Sequence, residues 1–490
     1  MYTTAKMNVR MVFVLPFFFL LAFHFTGCIG NIGELSGLLS GQSGNIYYVA
    51  TDGDNQNPGT REKPWATPGY GSRQLELGDT LIILGGQYLI GNNEEDRIKP
   101  PSGTSSNWIT IKGESGNRPI LAGIDNCRAV IDLSGKNNIQ IENLEITNDN
   151  SSTIQNAILA EGGPVQNIVL KKLFIHHIDG SGITMADAIA VEIDQCTIQY
   201  CGTGAVLSGK FQGEGWSGIT IRDSHLDYSG HYPSKGKKVS PSQMSDGIQI
   251  GLSAGPIEII NTGFEHNFGS AINSQAKINR IKQCVIANNT ENGIYLRGEE
   301  GIIENTLVYG MGDGDINASG GAGIVIDRIT KSEAIFQIIN ATIHDNSGRN
   351  GYPIIVQKST TDKSLQLILK NTIIAGGSQP VLIGKNVTLQ ADHNLIFQPE
   401  EAVFIIVSGI KYSQEEIENG VLGQGFLSQD PLFVTPAWGK TGDYHLKNGS
   451  PAIDKGTSIG APELDLEGNK RPQGSGFDIG AYEYGGGEKK

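Results

Sequence analysis

The chain has 490 residues, of which 66 are glycine and 38% are hydrophobic. Its formal net charge of −14 makes nucleic acid and anionic membrane surfaces poor partners, although a local cationic patch or a bound cation could still hold a polyanion. Many glycines with this apolar fraction favour a fold that has many tight turns around a thin, continuous core.

Residues 1–28 have the pattern of an export signal. Lys6 and Arg10 precede an apolar run over residues 11–25, which is too short to cross a membrane as a helix. The run leads into Phe-Thr-Gly-Cys, ending at Cys28, and this resembles the bacterial lipoprotein box. The resemblance implies lipidation at Cys28 and an exported lipoprotein of the outer membrane or cell surface. An ordinary signal peptide with a coincidental cysteine is the alternative.

Residues 29–44 are rich in Gly, Ser and Leu, which predicts a flexible tether. The segment from Tyr47 to Tyr88 has a strand pattern, a turn rich in Gly, Asn, Asp and Pro, and a second apolar strand pattern. This segment resembles the opening of secreted bacterial β-helix proteins, including family 9 pectate lyases. We expect it to act as a cap, because an uncovered coil end is a bare strand edge.

Two short motifs alternate between Ile139 and Gly376. The first reads apolar, any, apolar, any, polar, any, any, apolar, and the second is a small residue followed by apolar, any, apolar. Their period-2 alternation indicates strands, and their recurrence indicates a solenoid. No copy can bury its apolar edge alone, so the copies must stack. The first motif begins at Ile139, Ile168, Val191, Ile219, Ile257, Asn279, Gly301, Phe336 and Leu367.

A polar residue at the middle of the first motif marks a sharp corner, since Asn tolerates the left-handed backbone conformation and stacked amides can bond along a column. The corner positions are Asn143, Asn261, Asn305, Asn340 and Asn371, replaced by Lys172, Gln195, Asp223 and Gln283 in other coils. Three strands per coil, small-residue corners and an Asn ladder resemble the right-handed parallel β-helix of the pectate-lyase-like superfamily. The resemblance implies an all-β right-handed parallel β-helix over residues 45–400, including the N-terminal cap.

Residues 401–490 are predicted to form a C-terminal capping region. It contains DPLF at Asp430, GSPAIDKG at Gly449 and DIGAYEY at Asp478. These motifs resemble the choice-of-anchor Q C-terminal domain. We expect the region to pack against the last coil and close that end of the solenoid.

In the lyase-like superfamily, the strand that carries the second motif lines the substrate groove. Its outward positions here form two columns. Residues at the middle of the columns are polar or aromatic, whereas those toward the ends, including Val206, are apolar or small. Amides and carboxylates suit sugar hydroxyls, and an aromatic ring suits a sugar face. A surface ion pair between Arg297 and Asp327 is the alternative interpretation. The predicted groove residues are Gln249, Asn273, Gln275, Tyr295, Arg297 and Asp327.

A long insert between Asp227 and Asp246 precedes the groove strand, and loops on a rigid scaffold commonly carry function. The insert contributes His231, Lys235, Lys237 and Lys238, which are expected to close over a bound chain unless they form a solvated loop. A third outward column places Asp227 beside Glu265, and together with Asp246 these are the predicted ligands of a cation, with Ca²⁺ expected. His266 is predicted to stack in a turn rather than act as a base.

The resemblance implies β-elimination on a uronic-acid polysaccharide, which needs a neutralised carboxylate, a base and a stabilised leaving oxygen. Candidate catalytic residues are Arg297, Lys235, His231 and Tyr295, and candidate substrate-binding residues are Gln249, Asn273, Gln275, Asp327, Lys237 and Lys238. An epimerase, a glycoside hydrolase using Asp246 with Asp327 or Glu265, and a non-catalytic glycan-binding surface protein remain alternatives. The expected partner is an acidic polysaccharide, with no nucleic acid, membrane contact only through a lipid anchor, and a monomeric chain.

Overall fold

The computed structural model describes residues 44–149, 152–208, 214–232, 245–312, 321–327, 333–344, 351–357, 364–377, 379–398, 403–437 and 439–485. The predicted signal segment with Cys28 lies outside these residues, as do Lys235, Lys237 and Lys238 of the insert. Predictions that rest on them therefore stay predictions. No helix of the described part is long and apolar enough to cross a membrane.

Three long sheets, named A, B and C, wrap around one core, and each successive coil adds one strand to each sheet. Within the described residues, sheet A has 13 parallel strands: β1 (Ile46–Val49), β2 (Thr80–Ile83), β4 (Ile109–Gly113), β7 (Asn137–Glu142), β10 (Val165–Lys171), β13 (Ala188–Asp194), β16 (Trp216–Arg222), β19 (Ile257–Ile260), β22 (Ile278–Lys282), β25 (Glu300–Glu304), β28 (Glu333–Ile339), β31 (Ser364–Lys370) and β34 (Val387–Asp392).

Sheet B has 12 strands in the described chain: β3 (Gln87–Ile90), β5 (Ile120–Gly123), β8 (Glu145–Asn148), β11 (Phe174–Ile178), β14 (Thr197–Cys201), β17 (His225–Asp227), β20 (Gly263–Glu265), β23 (Val285–Ala287), β26 (Leu307–Tyr309), β29 (Thr342–His344), β32 (Ile373–Ala375) and β35 (Leu395–Phe397).

Sheet C likewise has 12 described strands: β6 (Ile131–Asp132), β9 (Asn156–Ala160), β12 (Ser181–Met185), β15 (Gly204–Ser208), β18 (Ile248–Ser253), β21 (Ile272–Ala276), β24 (Ile294–Leu296), β27 (Ile324–Ile326), β30 (Ile354–Val356), β33 (Val381–Ile383), β36 (Ile405–Val407) and β37 (Ile410–Tyr412). Its strands are parallel except for the β36–β37 pair. A separate antiparallel pair is formed by β38 (Phe433–Thr435) and β39 (Asp443–Leu446), and the described helices are α1 (Pro68–Arg73) and α2 (Gln414–Glu418).

Alternation within each strand builds the core. In β16, Ile219 and Ile221 point inward and are fully buried. They lie in register with Val191 and Ile193 of the preceding coil and with the corresponding isoleucines of the following one. Each coil thus buries an apolar stripe against the stripes above and below it. The predicted right-handed parallel β-helix is confirmed.

The predicted corners lie between sheets A and B, which we call the A–B corner. Asn143 has φ 56°, and the same left-handed conformation recurs where Lys172 (φ 52°) and Asp223 (φ 52°) replace Asn. The Asn143 amide donates to the Glu114 carbonyl oxygen of the preceding coil at 2.9 Å. The side chain therefore provides a hydrogen bond to a backbone carbonyl at the bend.

At the N-terminal end, β1 pairs in parallel with β2 and so extends sheet A. Trp65 is buried against the first coil and stacks on Tyr47 with ring centroids 4.8 Å apart. Helix α1 follows, because Thr67 accepts a hydrogen bond from the backbone of Tyr70 and Pro68 suits the first helical turn. These contacts cover the first strand edges.

The C-terminal region divides into two parts. In residues 403–429, β36 adds a strand to sheet C, and Ile417 of α2 and Phe426 join the main core. The described residues from Asp430 to Gly485, here called the strap, form a second core against the outer face of sheet B. Tyr444 of β39, for example, packs on Tyr309 of β26 with ring centroids 4.7 Å apart.

The expectation that the C-terminal region packs against the last coil is wrong for the strap, which turns back along the flank of earlier coils. The side chains of the A–B corner hold it there. Asn305 donates to the Leu464 carbonyl oxygen at 2.6 Å, and Asn371 donates to that of Thr457 at 2.8 Å. Without the strap these corner amides would be exposed to solvent. They instead hold the strap along the A–B corner.

Candidate active site on sheet C

The outward columns of sheet C lie nearly as predicted. Gln249 is in register with Asn273, Asn273 with Tyr295, and Tyr295 with Val325. The prediction is wrong at one coil, where Leu207 aligns with Gln249 and Val206 is buried in the core. In this coil Ala205 takes the place of the small residue that Gly182 provides in the preceding one, so the motif begins one residue later than predicted.

Five polar side chains form one connected network on this face. Asn273 donates from Nδ2 to Oδ2 of Asp246 at 2.9 Å, and its Oδ1 accepts from Nη2 of Arg297 at 2.6 Å. The Arg297 guanidinium lies over the ring of Tyr295, 4.6 Å from its centroid. The Tyr295 hydroxyl donates to Oδ2 of Asp327 at 2.9 Å. The network thus reaches from the start of β18 to the end of β27.

The strand geometry explains this convergence. Adjacent coils are about 4.8 Å apart, and residues two apart on one strand share a face. Arg297 follows Tyr295 by two positions, so both side chains leave the same side of sheet C and the guanidinium folds back over the ring. A cation over an aromatic face is stabilised by the ring quadrupole, by about 0.5–2 kcal/mol.

One hydrogen-bond donor of Arg297 is unpaired within the described residues. Its Nε is buried and has no hydrogen-bond partner among the described residues. Leaving a buried donor unpaired costs about 1–3 kcal/mol. A buried polar group of this kind calls for an explanation, and a functional role for the side chain is one.

Asp246 lies at the deep end of the network and is only 4% exposed. Burial raises the pKa of its carboxyl to about 6, while bonds from Asn273 and the Ser270 backbone and the charge of Arg297 act in the opposite direction. The backbone N–H of Ser270 donates to Oδ1 at 2.8 Å. A Cβ on Gly269 would lie 2.6 Å from that oxygen, so a glycine is needed to make room for the carboxylate.

Glu291 and Ser270 were not predicted from the sequence. Burial, and next the charge of Asp246, raise the pKa of Glu291, and a hydrogen bond with Ser270 opposes that shift. Both residues lie in the bends before the groove strands, where Ser270 begins a copy of the second motif and Glu291 directly precedes one. Their proximity to Asp246 could have been inferred only by aligning the bends as well as the strands.

The predicted cation ligands do not converge. Asp227 and Glu265 lie on neighbouring strands of sheet B, where the Glu265 backbone N–H donates to Oδ1 of Asp227 at 2.8 Å. Asp246 instead bonds to Ser270 and Asn273 beside sheet C. No group of three or more His, Cys, Asp or Glu side chains that could hold a metal occurs in the described part of the chain. The three carboxylates are separated because the corner between sheets B and C turns them to different faces.

His231 lies at that corner, in a cluster of rings. Its ring packs edge-on against Tyr228 and Phe268, with centroids 5.9 Å away in each case. One ring from each of four successive coils stacks face to face there, and all four residues have positive φ. The ladder consists of His177, Tyr200, Tyr228 and His266. The prediction that His266 stacks in a turn is confirmed, and the other three rings could have been found one position after the third outward column.

Gln249 and Gln275 lie in the two outward columns beside the network, Gln249 exposed and Gln275 partly buried. They are placed where a long ligand on sheet C would pass. Lys235, Lys237 and Lys238 lie outside the described residues, so their distance from the network is not defined.

Sequence comparison identifies two β-helix regions. Residues 47–206 match the family model described as Pel9A-like, right handed beta helix region, and residues 156–328 match the model described as right handed beta helix region. The uncharacterized protein YwoF of Bacillus subtilis (strain 168) is 31% identical over 109 residues. That match covers 21% of this chain and 22% of YwoF, so it spans about a fifth of the relative's length.

Among solved structures, XylC in complex with xylose has a TM-score of 0.55 at 11% identity, covering 89% of this chain and 98% of that one. Pectate lyase Pel9A has a TM-score of 0.49 at 14% identity, with 92% and 99% covered. The A-module of the mannuronan C-5 epimerase AlgE4 from Azotobacter vinelandii has a TM-score of 0.49 at 12% identity, with 68% and 91% covered. At such identities the XylC likeness shows the fold alone. Residues 47–328 thus consist of right-handed β-helix regions, the first of them similar to that of Pel9A.

Proposed function

We propose that this protein cleaves a uronic-acid-containing polysaccharide by β-elimination on the outer face of sheet C. One observation carries the proposal: Arg297 is held between Asn273 and Tyr295, and the Tyr295 hydroxyl bonds to Asp327. A permanently charged group thereby lies beside a proton-transfer pair, with Arg297 and Tyr295 on one coil and Asp327 on the next. The Pel9A-like match over residues 47–206 supports a polysaccharide substrate.

In this mechanism Arg297 binds the carboxylate of the sugar at the cleavage point. Guanidinium keeps its charge at every working pH and matches the two carboxylate oxygens. Neutralising that carboxylate makes the proton on C5 more acidic, since the carbanion-like charge spreads into the carboxyl group.

Tyr295 and Asp327 then take up the proton. Tyr295 accepts the C5 proton as its own hydroxyl proton passes to Asp327 along the 2.9 Å hydrogen bond. The C4–O bond breaks, a C4–C5 double bond forms, and the departing oxygen takes a proton from solvent. Gln249 and Gln275 would bind hydroxyls of the neighbouring sugars, and the insert lysines Lys235, Lys237 and Lys238 would contact further carboxylates.

The test is a screen of the purified protein on acidic and neutral polysaccharides, followed through the ultraviolet absorbance of the unsaturated uronate product. We expect Arg297→Ala to lower kcat/KM about a hundredfold or more, because it removes charge stabilisation at the reacting carboxylate. Arg280→Ala is the matched control, since Arg280 pairs with Glu258 on the outside of sheet A at 3.0 Å. Equal activity of both variants would contradict the proposed site.

The same screen separates the alternatives. Reducing ends released without the absorbance would favour a hydrolase, and tight glycan binding without turnover would favour a glycan-binding surface protein. Assays with Ca²⁺ and with a chelator test the expected cation, and membrane fractionation of a Cys28→Ala variant tests the proposed lipid anchor.

A further inference from the structure

We propose that Asp246 is a positioning residue, whose carboxylate orients the Asn273 amide so that this amide fixes the guanidinium of Arg297. The inference rests on the proposed function, in which Arg297 binds the substrate carboxylate. It differs from the cation-ligand role predicted for Asp246 from the sequence.

Hydrogen-bond polarity permits one arrangement of the three side chains. Arginine can only donate, and an ionised aspartate can only accept. Asn273 lies between them, so it must present Nδ2 to Asp246 and Oδ1 to Arg297, and these are the contacts at 2.9 Å and 2.6 Å. If the amide turned over, a donor would face Arg297 and an acceptor would face Asp246. The carboxylate therefore sets which atom Arg297 meets.

Asp246 is itself immobilised. The Ser270 backbone N–H holds Oδ1, and Gly269 packs closely against the same oxygen. The side chain is 4% exposed, so it lies too deep to touch a polymer on the outer face. Asp246 therefore acts on a bound sugar through its neighbours, by its hydrogen bond with Asn273 and by its charge near Arg297.

Both oxygens of Asp246 are already used. Oδ1 accepts from the Ser270 backbone and Oδ2 from Asn273. A cation ligand would need at least one of them turned away from its present donor. The contacts of Asp246 instead match those of a residue that orients a neighbour.

Arg297 needs such support because little else directs its head group. Beyond the bond to Asn273, its guanidinium rests on the Tyr295 ring, an attraction with weak directionality, and its Nε is unpaired within the described chain. A misplacement of about 1 Å at a binding group can cost a hundredfold in rate. The orientation of the Asn273 amide thus matters for catalysis although that amide need not contact the scissile bond.

The test exchanges the two side chains. In Asp246→Asn alone, the new side-chain amide has a single acceptor oxygen, although both the Ser270 backbone and Asn273 donate to position 246. In Asn273→Asp alone, two carboxylates face each other at hydrogen-bond distance. In the double variant Asp246→Asn/Asn273→Asp every donor again meets an acceptor, since the amide at 246 accepts from Ser270 and donates to the carboxylate at 273, which accepts from Arg297.

We expect each single variant to lower kcat/KM and the affinity for a uronate oligosaccharide about tenfold or more, and the double variant to exceed both single variants by recovering part of that loss. A double variant no better than the worse single variant would overturn the inference, as would single variants that behave like the parent. A cation-ligand role predicts no recovery in the double variant together with a changed Ca²⁺ dependence.

Asp478→Asn is the matched control. Asp478 is 2% exposed and its two oxygens accept backbone hydrogen bonds from Asp454 and Tyr484, but it lies in the strap. It should lower stability as Asp246→Asn does while leaving kcat/KM unchanged.

If the parent protein neither cleaves nor binds uronate oligosaccharides, the proposed function fails, and crystal structures still decide the inference. Arg297 should be displaced in Asp246→Asn and restored in the double variant, whereas an unmoved Arg297 would refute it.

Discussion

Tyr295 and Tyr309 belong to the same coil and both point outward, but they have different neighbours. Tyr295 is partly buried on sheet C, beneath Arg297 and bonded to Asp327. Tyr309 on sheet B is 1% exposed, because Tyr444 of the strap covers it and its hydroxyl accepts from the Gly442 backbone at 3.4 Å. The strap thus covers sheet B at Tyr309, whereas sheet C is the face on which we propose that a ligand binds.

The A–B corner shows the same contrast along its length. Asn261 bonds to Asp223 of the preceding coil, as a corner amide in a plain solenoid would. Asn340, further along, donates instead to the carbonyl oxygens of Asp478 and Gly480 in the strap. Equivalent positions therefore stabilise the coil in one region and dock the strap in another. An outward column of side chains is a candidate binding site only where no other part of the chain packs over it.

The largest expected effect comes from detaching the strap with Arg471→Ala. Arg471 and Glu483 form an ion pair at 2.6 Å whose side chains are both 0% exposed, and Arg471 also donates to Asn305 of the A–B corner at 3.0 Å. Removing the guanidinium leaves a buried carboxylate without its partner, at a cost of about 3 to 5 kcal/mol in the free energy of unfolding. Urea denaturation measures the loss.

Arg61→Ala is the control for that variant, because the Arg61–Glu114 pair is exposed and should contribute about 0 to 1 kcal/mol. Limited proteolysis should cut the strap in Arg471→Ala, while cleavage of polysaccharide on sheet C continues. An equal loss of stability in both variants would show that the strap is not held as described.

The next effect concerns pH and Asp227, which lies on sheet B. Burial, and next the charge of Glu265, raise the pKa of Asp227 to about 7 from its ordinary 3.8. Between these values the folded protein binds a proton that the unfolded chain has released, so the free energy of unfolding falls as pH rises. Asp227→Asn should remove most of that fall, which is on the order of 4 kcal/mol at pH 8.

Denaturation midpoints of the parent protein and Asp227→Asn from pH 4 to pH 8 test this expectation. Parallel curves would contradict it. Added Ca²⁺ supplies a second arm at pH 8, since a cation held by Asp227 and Glu265 would stabilise the parent protein and have no such effect on the variant.

The smallest effect separates the two tyrosines directly. Tyr295→Phe should lower turnover at least tenfold with little change in stability, because it removes the hydroxyl bonded to Asp327. Tyr309→Phe should leave turnover unchanged and cost about 1 kcal/mol of stability, since the Gly442 N–H loses its acceptor. Activity assays and urea denaturation of both variants suffice. Matching losses of turnover would mean that the two flanks are not functionally distinct.

Much of the fold and part of the site could be predicted. The column that contains Asn273 and Tyr295 follows from alternation within strands, since the period of two assigns each side chain to a face. The bonds of Asp246 could not be predicted, because its direction depends on the bend at Gly269 and on the length of the preceding insert. The grouping of Asp227, Glu265 and Asp246 failed for the same reason: motifs place residues on strands, and corners decide which face those strands present.

The amino-acid sequence by itself determined the solenoid, the left-handed backbone conformation of its corner residues and the polar residues at the middle of sheet C. Those features depend on contacts between neighbouring coils, which recur at a short, regular spacing along the chain. Only the tertiary structure decided where the strap lies, since contacts such as that between Arg471 and Asn305 join residues 166 positions apart with no repeat to signal them. It also decided which outward side chains meet, because a hydrogen bond requires an arrangement of atoms that a pattern of residue types does not specify.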